Sequence, residues 1–315
     1  MLKTNHYLAK DKLHFGWDNS IEPVLTVVPG ENVAFEVIDA GSGQVTPDST
    51  TADLANFDFS RVNAAFGPVH VDGAQPGDAL KVRIVSIETK GWGWTANIPG
   101  FGLLADRFKD EPELYIWQFD PETLAPAEFR PGGRVPLKPF PGIIGLAPAA
   151  PGVHGAVTPL STGGNMDTRD LSVGTELYLP VEVPGALFSV GDGHAGQGDG
   201  EVCGTAIECP MDIVVHFDLV KNANLRYPRF TTPGPVSRHL DEKGYEVTMG
   251  VGPDLMESAR NAVNDMVDLI AATRGMRPVE AYLLCSACAD LRISEIVDEP
   301  HYIVNYYFPR VVFDG

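Results

Sequence analysis

The sequence is poor in cysteine, in basic residues and in long apolar runs. It has only four cysteines in 315 residues, too few for the disulfide framework of a secreted scaffold. No stretch approaches the roughly 18 consecutive apolar residues that a membrane-spanning helix needs. The first residues also lack an apolar run of signal-peptide length. We therefore expect a cytoplasmic protein without a membrane partner.

The shortage of basic residues gives the chain a strongly acidic balance. Lys and Arg together number 23 against 42 Asp and Glu, for a net charge of −19. Such a surface repels the phosphates of nucleic acids and anionic lipids, so both classes of partner are excluded. A neutral small-molecule substrate or a bound cation fits this charge, although acidity by itself predicts no more than solubility.

The rest of the composition is typical of a folded protein rich in turns. Hydrophobic residues make up 44% and charged residues 21%, which excludes intrinsic disorder. The 33 glycines and 26 prolines follow no repeat and favour many short strands joined by tight turns. We predict a mostly β fold, a sandwich or barrel of short strands over residues 1–220. A smaller α+β region over 221–315 follows it across a soft boundary.

Hydrophobic periodicity predicts the individual elements. Strands are predicted at 23–28, 32–38, 67–71, 79–88, 114–119, 127–129, 177–183, 186–190, 202–207, 213–220 and 302–313, with 23–39 forming a strand pair and 114–129 a hairpin. Loops are predicted at 40–60, 91–113 and 191–200. One helix is predicted over 255–272, between the N-cap Asp254 and the terminating Gly275, and a second over about 279–291.

Several catalytic signatures are missing from the sequence. It has no G-x-S-x-G nucleophile elbow, no P-loop, no G-x-G-x-x-G after a strand and no H-E-x-x-H. Covalent catalysis therefore has no obvious nucleophile. Water activated by a metal ion is the remaining simple route to hydrolysis.

The densest group of candidate residues is GDGHAGQGDGE, residues 191–201. It combines Asp192, His194, Asp199 and Glu201 with glycines that let the backbone turn tightly. Carboxylates and imidazole are ligands for Zn²⁺ or Mn²⁺. The alternative is a solvated acidic loop, but the apolar strands predicted on both sides place these charges near a core.

Two weaker patterns stand beside it. In GGNMDTRDL, residues 163–171, Asn165 and Asp167 share a face if the segment is extended, although a turn with an Asx cap is the commoner use of this spacing. Cys285 and Cys288 have the spacing of a zinc half-site that Cys203 and Cys209 could complete. They lie inside a predicted helix, so we interpret all four cysteines as small buried hydrophobic residues.

Four segments, taken together and in order, resemble the acetamidase/formamidase family: residues 63–80, 139–149, 163–208 and 281–298. The resemblance spans nearly the whole chain. It implies a hydrolase of linear amides that yields a carboxylate and ammonia, a mostly β architecture and a homo-oligomer, either a dimer or a tetramer. The family's motif positions are occupied here by Asn165, Asp167, Asp192, His194, Asp199, Glu201 and Glu208. His70 departs from the family, where Tyr is more frequent, and this leaves the identity of the substrate open.

Residue types and resemblance together predict the following site. Asn165, Asp167, Asp192 and His194 hold a divalent metal, Zn²⁺ in the first place, with Ca²⁺ or Mn²⁺ as alternatives. Glu201 and Asp199 are the catalytic residues, with Glu201 as the general base. The substrate-binding residues are not assigned. Two other functions stay open: hydrolysis of another small C–N substrate, such as a urea or guanidine derivative, and a metal-stabilised binding protein without turnover.

Overall fold

The computed structural model describes residues 4–130 and 132–314, and strands dominate this part of the chain. In the first half the strands are β1 (His6–Leu8), β2 (Leu13–His14), β3 (Leu25–Val27), β4 (Asn32–Val37), β5 (Ala65–Val71), β6 (Ala79–Thr89), β7 (Trp92–Asn97), β8 (Glu113–Gln118), β9 (Ala127–Phe129), β10 (Gly133–Val135) and β11 (Phe140–Leu146). In the second half they are β12 (Pro159–Leu160), β13 (Gly163–Asn165), β14 (Glu176–Pro180), β15 (Phe188–His194), β16 (Met211–Val220), β17 (Arg229–Thr231), β18 (Tyr245–Gly252), β19 (Asp290–Glu295) and β20 (Tyr302–Pro309).

Helices are fewer and lie mainly near the C-terminus. They are α1 (Arg238–Asp241), α2 (Leu255–Arg274), α3 (Pro278–Cys288) and α4 (Val311–Asp314), with two short 3-10 helices at Thr51–Asn56 and Phe59–Arg61. No helix in the described ranges has both the length and the apolar character required to cross a bilayer.

Two large sheets form the β part of the molecule. The six-stranded sheet has the order β1-β4-β16-β6-β14-β17, and the seven-stranded sheet has β12-β13-β11-β15-β5-β2 with β3 also on β5. Phe188 on β15 of the second sheet contacts Phe35 and Phe217 of the first, at ring-centroid distances of 5.9 and 4.9 Å. Alternate residues of β4 are buried, as expected for a strand with one face on the core. The predicted mostly β class is confirmed.

The C-terminal part combines the three-stranded sheet β18-β20-β19 with α2 and α3. The predicted first helix is present as α2: Asp254 accepts hydrogen bonds from two backbone amides of its first turn, and Gly275 ends it with a left-handed φ of 65°. The second helix ends at Cys288, because Ala289 is extended and the chain continues directly into β19. The predicted end at residue 291 was therefore too late.

Strand pairing differs from the prediction in several places. β3 and β4 are strands but belong to different sheets, β3 on β5 and β4 between β1 and β16. Part of the predicted loop 91–113 is β7, which pairs with β8, whereas β9 pairs with β10. The segment 202–207 is not a strand. Partner choice is non-local, so the period of one strand does not reveal which strand it joins.

The division of the chain near residue 220 stays a prediction. β17 lies beyond that point and still pairs with β14 in the six-stranded sheet. One continuous apolar core joins buried residues of both predicted regions.

Candidate metal centre and active site

Strand β15 carries the centre of the site. Asp192 and His194 are two residues apart on this strand and therefore point to the same face. The first half of the predicted glycine-rich loop is thus a buried strand, and the turn begins only after His194. Neighbouring strand β11 lies against it and contributes Gly142, while β13 on the far side of β11 ends at Asn165. Side chains of β15 and β13 therefore meet across Gly142 of β11, which has no side chain and leaves them room.

His194 lies at the middle of this group and is buried. Its Nε2 atom is 3.1 Å from Asp192 Oδ1 and 3.1 Å from Glu208 Oε2. Its Nδ1 atom is 2.9 Å from Gln197 Oε1. The side-chain amide of Gln197 also donates from Nε2 to the carbonyl oxygen of Asp167, at 2.7 Å.

The contact with Gln197 decides the tautomer of His194. Because Nε2 of Gln197 donates to the Asp167 carbonyl, its Oε1 must accept, so Nδ1 of His194 carries a proton. In the neutral imidazole, the lone pair then belongs to Nε2, which faces the carboxylates of Asp192 and Glu208. An outer hydrogen bond of this kind fixes the ring orientation of metal-binding histidines.

Four carboxylates surround the imidazole in two overlapping groups. The potential ligand atoms of Asp167, His194 and Glu201 lie within 4.8 Å of one another, and so do those of Asp192, His194 and Glu208. Oδ1 of the buried Asp167 receives no hydrogen bond, and Oε2 of Glu208 has only its charge contact with Nε2 of His194. Since buried acceptors are nearly always paired, these carboxylate oxygens favour a site that binds a cation.

The pKa values show the same excess of negative charge. Burial raises the pKa of Asp167 to about 7 and the pKa of Glu208 to about 8, and it raises the pKa of Glu201 well above its usual range. For His194, burial favours the neutral ring, but the carboxylates of Glu208 and Asp192 outweigh it and raise its pKa well above the usual value. These carboxylates need protons or a cation to share one buried volume.

The backbone around the cluster is unusual in two respects. Asp167, Asp192 and Glu201 all have positive φ angles, of 43°, 54° and 42°. Residues other than glycine adopt this backbone conformation at a cost in free energy, and such residues are concentrated at functional sites. Gly142 leaves the cluster room: a Cβ there would lie 2.7 Å from Asp167 Oδ1, 2.7 Å from Asp192 Oδ2 and 2.8 Å from His194 Cε1.

A cavity of about 290 Å³ opens above the cluster. Its floor includes Asp167, Asp192, Glu201 and Glu208, and its walls are largely apolar and aromatic. Part of the long loop predicted at 40–60 contributes Ala40, Phe57 and Phe59 to the wall, so this loop belongs to the site. The arrangement joins a buried acidic and imidazole centre to a solvent-connected pocket, as metal-assisted hydrolysis requires.

The structure gathers most of the predicted site residues. Asp167, Asp192, His194 and Glu201 lie together, and Asn165 borders them on the cavity wall. Nδ2 of Asn165 donates to Asp167 Oδ2 at 2.9 Å, and its Oδ1 accepts from Asn63 at 3.1 Å.

Asp199 and His70 are placed elsewhere. The Asp199 side chain is 50% exposed, lies 3.4 Å from the Arg169 guanidinium and does not line the cavity. Its neighbours are Arg169 and Asp290, because the turn after residue 197 directs it away from the floor. His70 packs against the backbone of Gly185, also outside the cavity lining. The four cysteines are buried free thiols, as expected.

Sequence reasoning assigned no role to several groups that the site contains. Glu208 stood only as a position of the family's motif, yet it contacts His194 as closely as Asp192 does. The antiparallel bridge between His194 and Glu208 brings it there. Gly142 carried no signal as a site residue, because its importance comes from what lies across the sheet.

Comparisons with known proteins show the family of this chain. The model of the Acetamidase/Formamidase family matches residues 2–154 and 150–315. The chain is 29% identical to the acetamidase of Mycolicibacterium smegmatis over 70% of its own length and 69% of that protein. It is 26% identical to the formamidase of Methylophilus methylotrophus, over 96% and 90% of the two chains.

A solved structure gives a close match of fold. The γ-lactamase from Delftia acidovorans superposes with a TM-score of 0.90 at 26% identity, covering 98% of this chain and 94% of that one. Family model, relatives and fold cover nearly the full length of the chain. The chain therefore belongs to the acetamidase/formamidase family of amidohydrolases, which act on small amides.

Proposed function

We propose that this chain hydrolyses small linear amides to a carboxylate and ammonia in the cavity above His194, with a divalent metal ion bound by the cluster. One observation carries the proposal. Asp167 lies with Glu201, and Glu208 with Asp192, in two groups that share His194, and these four carboxylates line a solvent-connected cavity. Catalysis of amide hydrolysis by a carboxylate-rich centre needs such an opening, since water and substrate must both enter.

The donor set fits a borderline cation. We assign Asp167, Asp192, His194 and Glu208 as the residues that hold the ion. One imidazole nitrogen and several carboxylate oxygens suit Zn²⁺ first and Mn²⁺ second. Ca²⁺ prefers six to eight oxygen ligands and fits the imidazole poorly. Asn165 holds Asp167 in place, because both ends of its amide are already hydrogen-bonded.

The metal and the chain divide the chemistry between them. When bound, the ion polarises the amide carbonyl and makes water more acidic. Glu201 lies on the cavity floor, and burial raises its pKa well above the usual range. We propose that it accepts a proton from the attacking water and delivers it to the amide nitrogen, so that ammonia leaves. Gln197 keeps Nε2 of His194 turned toward the ligand cluster throughout.

The first test follows ammonia and metal on the same samples. Ammonia release from formamide, acetamide and propionamide is measured before and after chelator treatment and after metal is added back, with metal content determined in parallel. We expect activity to disappear with the metal and return with it. We expect Glu201→Gln to retain the metal and to lose about 100- to 10,000-fold in kcat, the usual contribution of a general base.

Asp199→Asn is the matched control, since it is a nearby carboxylate paired with Arg169. We expect its kcat to stay within a few-fold of the wild type. A loss as large as that of Glu201→Gln would restore the catalytic role predicted for Asp199. Activity that survives full metal loss would contradict the metal-assisted mechanism.

A cyclic amide is the second candidate substrate. The match to the γ-lactamase from Delftia acidovorans, at a TM-score of 0.90, favours it. A γ-lactam therefore belongs in the same assay, with appearance of the ring-opened amino acid as the readout. Faster turnover of the lactam than of all linear amides would make it the main substrate.

We also propose that the chain forms a homo-oligomer. One face of β18 exposes Val247, Met249 and Val251 to solvent, at 42%, 54% and 54%. Light scattering of the purified chain gives its mass directly, and a monomer at micromolar concentration would overturn this proposal. The cytoplasmic location stays a prediction from sequence.

A further inference from the structure

The cavity is larger than the simplest amides require. A water molecule takes about 30 Å³ of the liquid, and formamide and acetamide, with three and four heavy atoms, are no larger than about three or four water molecules. The cavity measures about 290 Å³. Formamide or acetamide would leave most of it to water, and exclusion of water strengthens the electrostatic interactions on which catalysis depends.

Aromatic rings form a continuous row along one side of the cavity. Trp94 is adjacent to Phe57, Phe57 to Phe59, and Phe59 to Phe101, with ring centroids 6.0, 5.4 and 6.2 Å apart and all pairs edge to face. Trp94 is buried, whereas Phe59 and Phe101 are 51% and 38% exposed. The row therefore leads from the acidic floor to the solvent.

Local structure holds this row in position. The indole nitrogen of Trp94 donates to the buried carboxylate of Asp39 at 2.9 Å, and its backbone pairs with that of Glu208. Gly204, at a φ of 86°, makes room for Phe101, because a Cβ there would lie 2.4 Å from the ring. The backbone pairing between Trp94 and Glu208 therefore positions both the indole of the wall and the carboxylate of the floor.

The polar groups of Trp94 and Thr205, beside the aromatic row, are already engaged. The indole of Trp94 binds Asp39, and the hydroxyl of Thr205 is hydrogen-bonded to the backbone of Ala96. Ile98, Val62 and Val157 complete the wall with apolar surface. This part of the wall therefore favours binding of an apolar ring over a polar substituent, because an apolar ring can pack edge to face on aromatic side chains.

We infer that the preferred substrate of the proposed amidase is a primary amide whose acyl group carries an apolar aromatic ring. This inference rests on the proposed function. Since ammonia is the small leaving group, the remaining space must take the acyl group. Phenylacetamide is the probe. The water oxygen bonds to the acyl carbon, the C–N bond breaks, and one water proton goes to the nitrogen, which leaves as ammonia. The other proton stays with the carboxylic acid until the acid ionises to phenylacetate.

The test is a ratio of kcat/KM values measured on one enzyme sample. The ratio of phenylacetamide to acetamide does not depend on how much of the protein is folded or loaded with metal. We expect a ratio of about 100 or more, because each methylene-sized group in an apolar pocket contributes about 10- to 200-fold. A ratio near or below 1 would overturn the inference while leaving the amidase function intact.

Variants locate the effect in the aromatic row. We expect Phe59→Ala and Phe101→Ala each to lower the ratio by about tenfold. Phe230→Ala is the control, because Phe230 is exposed to a similar degree, 40%, and lies outside this cavity, so its ratio should match the wild type. An equal fall in all three variants would contradict a specific role of the row.

A binding measurement separates this inference from the amidase function itself. If no amide is hydrolysed, the proposed function fails, and calorimetric titration with phenylacetamide and with acetamide then decides the present question. Tighter binding of phenylacetamide that is lost in Phe59→Ala would support the aromatic acyl site. Absence of binding would overturn it.

Discussion

At the residue scale, the site depends on backbone positions as much as on side chains. Asp167, Asp192 and Glu201 adopt left-handed φ angles, each at a cost of about 1 kcal/mol or more. These conformations turn three carboxylates toward one imidazole. Gly142 lies opposite them and provides the space that they occupy. A single methyl group at this position is therefore expected to disturb the whole cluster.

Gly142→Ala tests that dependence. The added Cβ would come within 2.8 Å of Asp167, Asp192 and His194, so the ligand atoms must move apart. We expect a loss of bound metal and a fall in kcat/KM of about 100-fold, the effect of misplacing catalytic groups by about 1 Å. Metal content per chain and kcat/KM are measured together. Gly155→Ala is the control, because its Cβ would meet only Thr158, at 4.0 Å; similar losses in both variants would contradict this account.

At the element scale, the glycines of β15 explain why the sequence predicts a loop where the structure has a strand. Three of its seven residues are Gly191, Asp192 and Gly193, which favour turns, yet all seven are buried between β11 and β5. The glycines are required by close neighbours, since a Cβ at Gly191 would lie 2.1 Å from the carbonyl oxygen of Ala64. Helix α2 is the opposite case, in which local signals and final structure agree.

Helix α2 provides the prediction at this scale. Asp254 caps its N-terminus by accepting from the amides of Met256 and Glu257, at 2.9 and 3.1 Å. We expect Asp254→Ala to lower the free energy of unfolding by about 1 kcal/mol, the usual cost of losing such a cap, with kcat unchanged. Urea denaturation measures the loss. Asp265→Ala, an exposed position inside the same helix, should not destabilise the protein; an equal loss there would point to charge rather than capping.

At the scale of the whole molecule, a buried ion pair joins the site to the C-terminal sheet. Arg169 follows the site residue Asp167 by two positions, and it binds Asp290 of β19 through two hydrogen bonds. The two side chains are 5% and 0% exposed. Both regions of the chain therefore share one buried charged contact in addition to the common core.

Asp290→Ala tests this connection. Removing Asp290 leaves the buried Arg169 guanidinium with the half-exposed carboxylate of Asp199 as its remaining partner. Breaking a buried ion pair in this way costs about 3–5 kcal/mol. We expect a loss of that size in the free energy of unfolding, measured by urea denaturation. Asp268→Ala removes a carboxylate that is 63% exposed and also paired with an arginine, Arg107, and should change stability little. Comparable losses in the two variants would show that burial does not govern the effect.

The sequence by itself determined the mostly β class, helix α2 and the residue types of the site. These features depend on residues that are neighbours along the chain. An Asp before a run of apolar residues with a period of 3.6 predicts the helix, and carboxylates and a histidine among glycines predict the site. The family resemblance added Glu208 without giving it a role.

The tertiary structure alone decided which acidic residues meet. Asp199 and Glu201 are two positions apart, but Asp199 faces Arg169 and Glu201 faces the cavity. Glu208 reaches His194 through a bridge between backbone segments, and Gly142 matters only because of the strands on either side. Contacts across a sheet join residues that are distant in sequence, and their geometry follows from strand pairing, which local patterns do not encode.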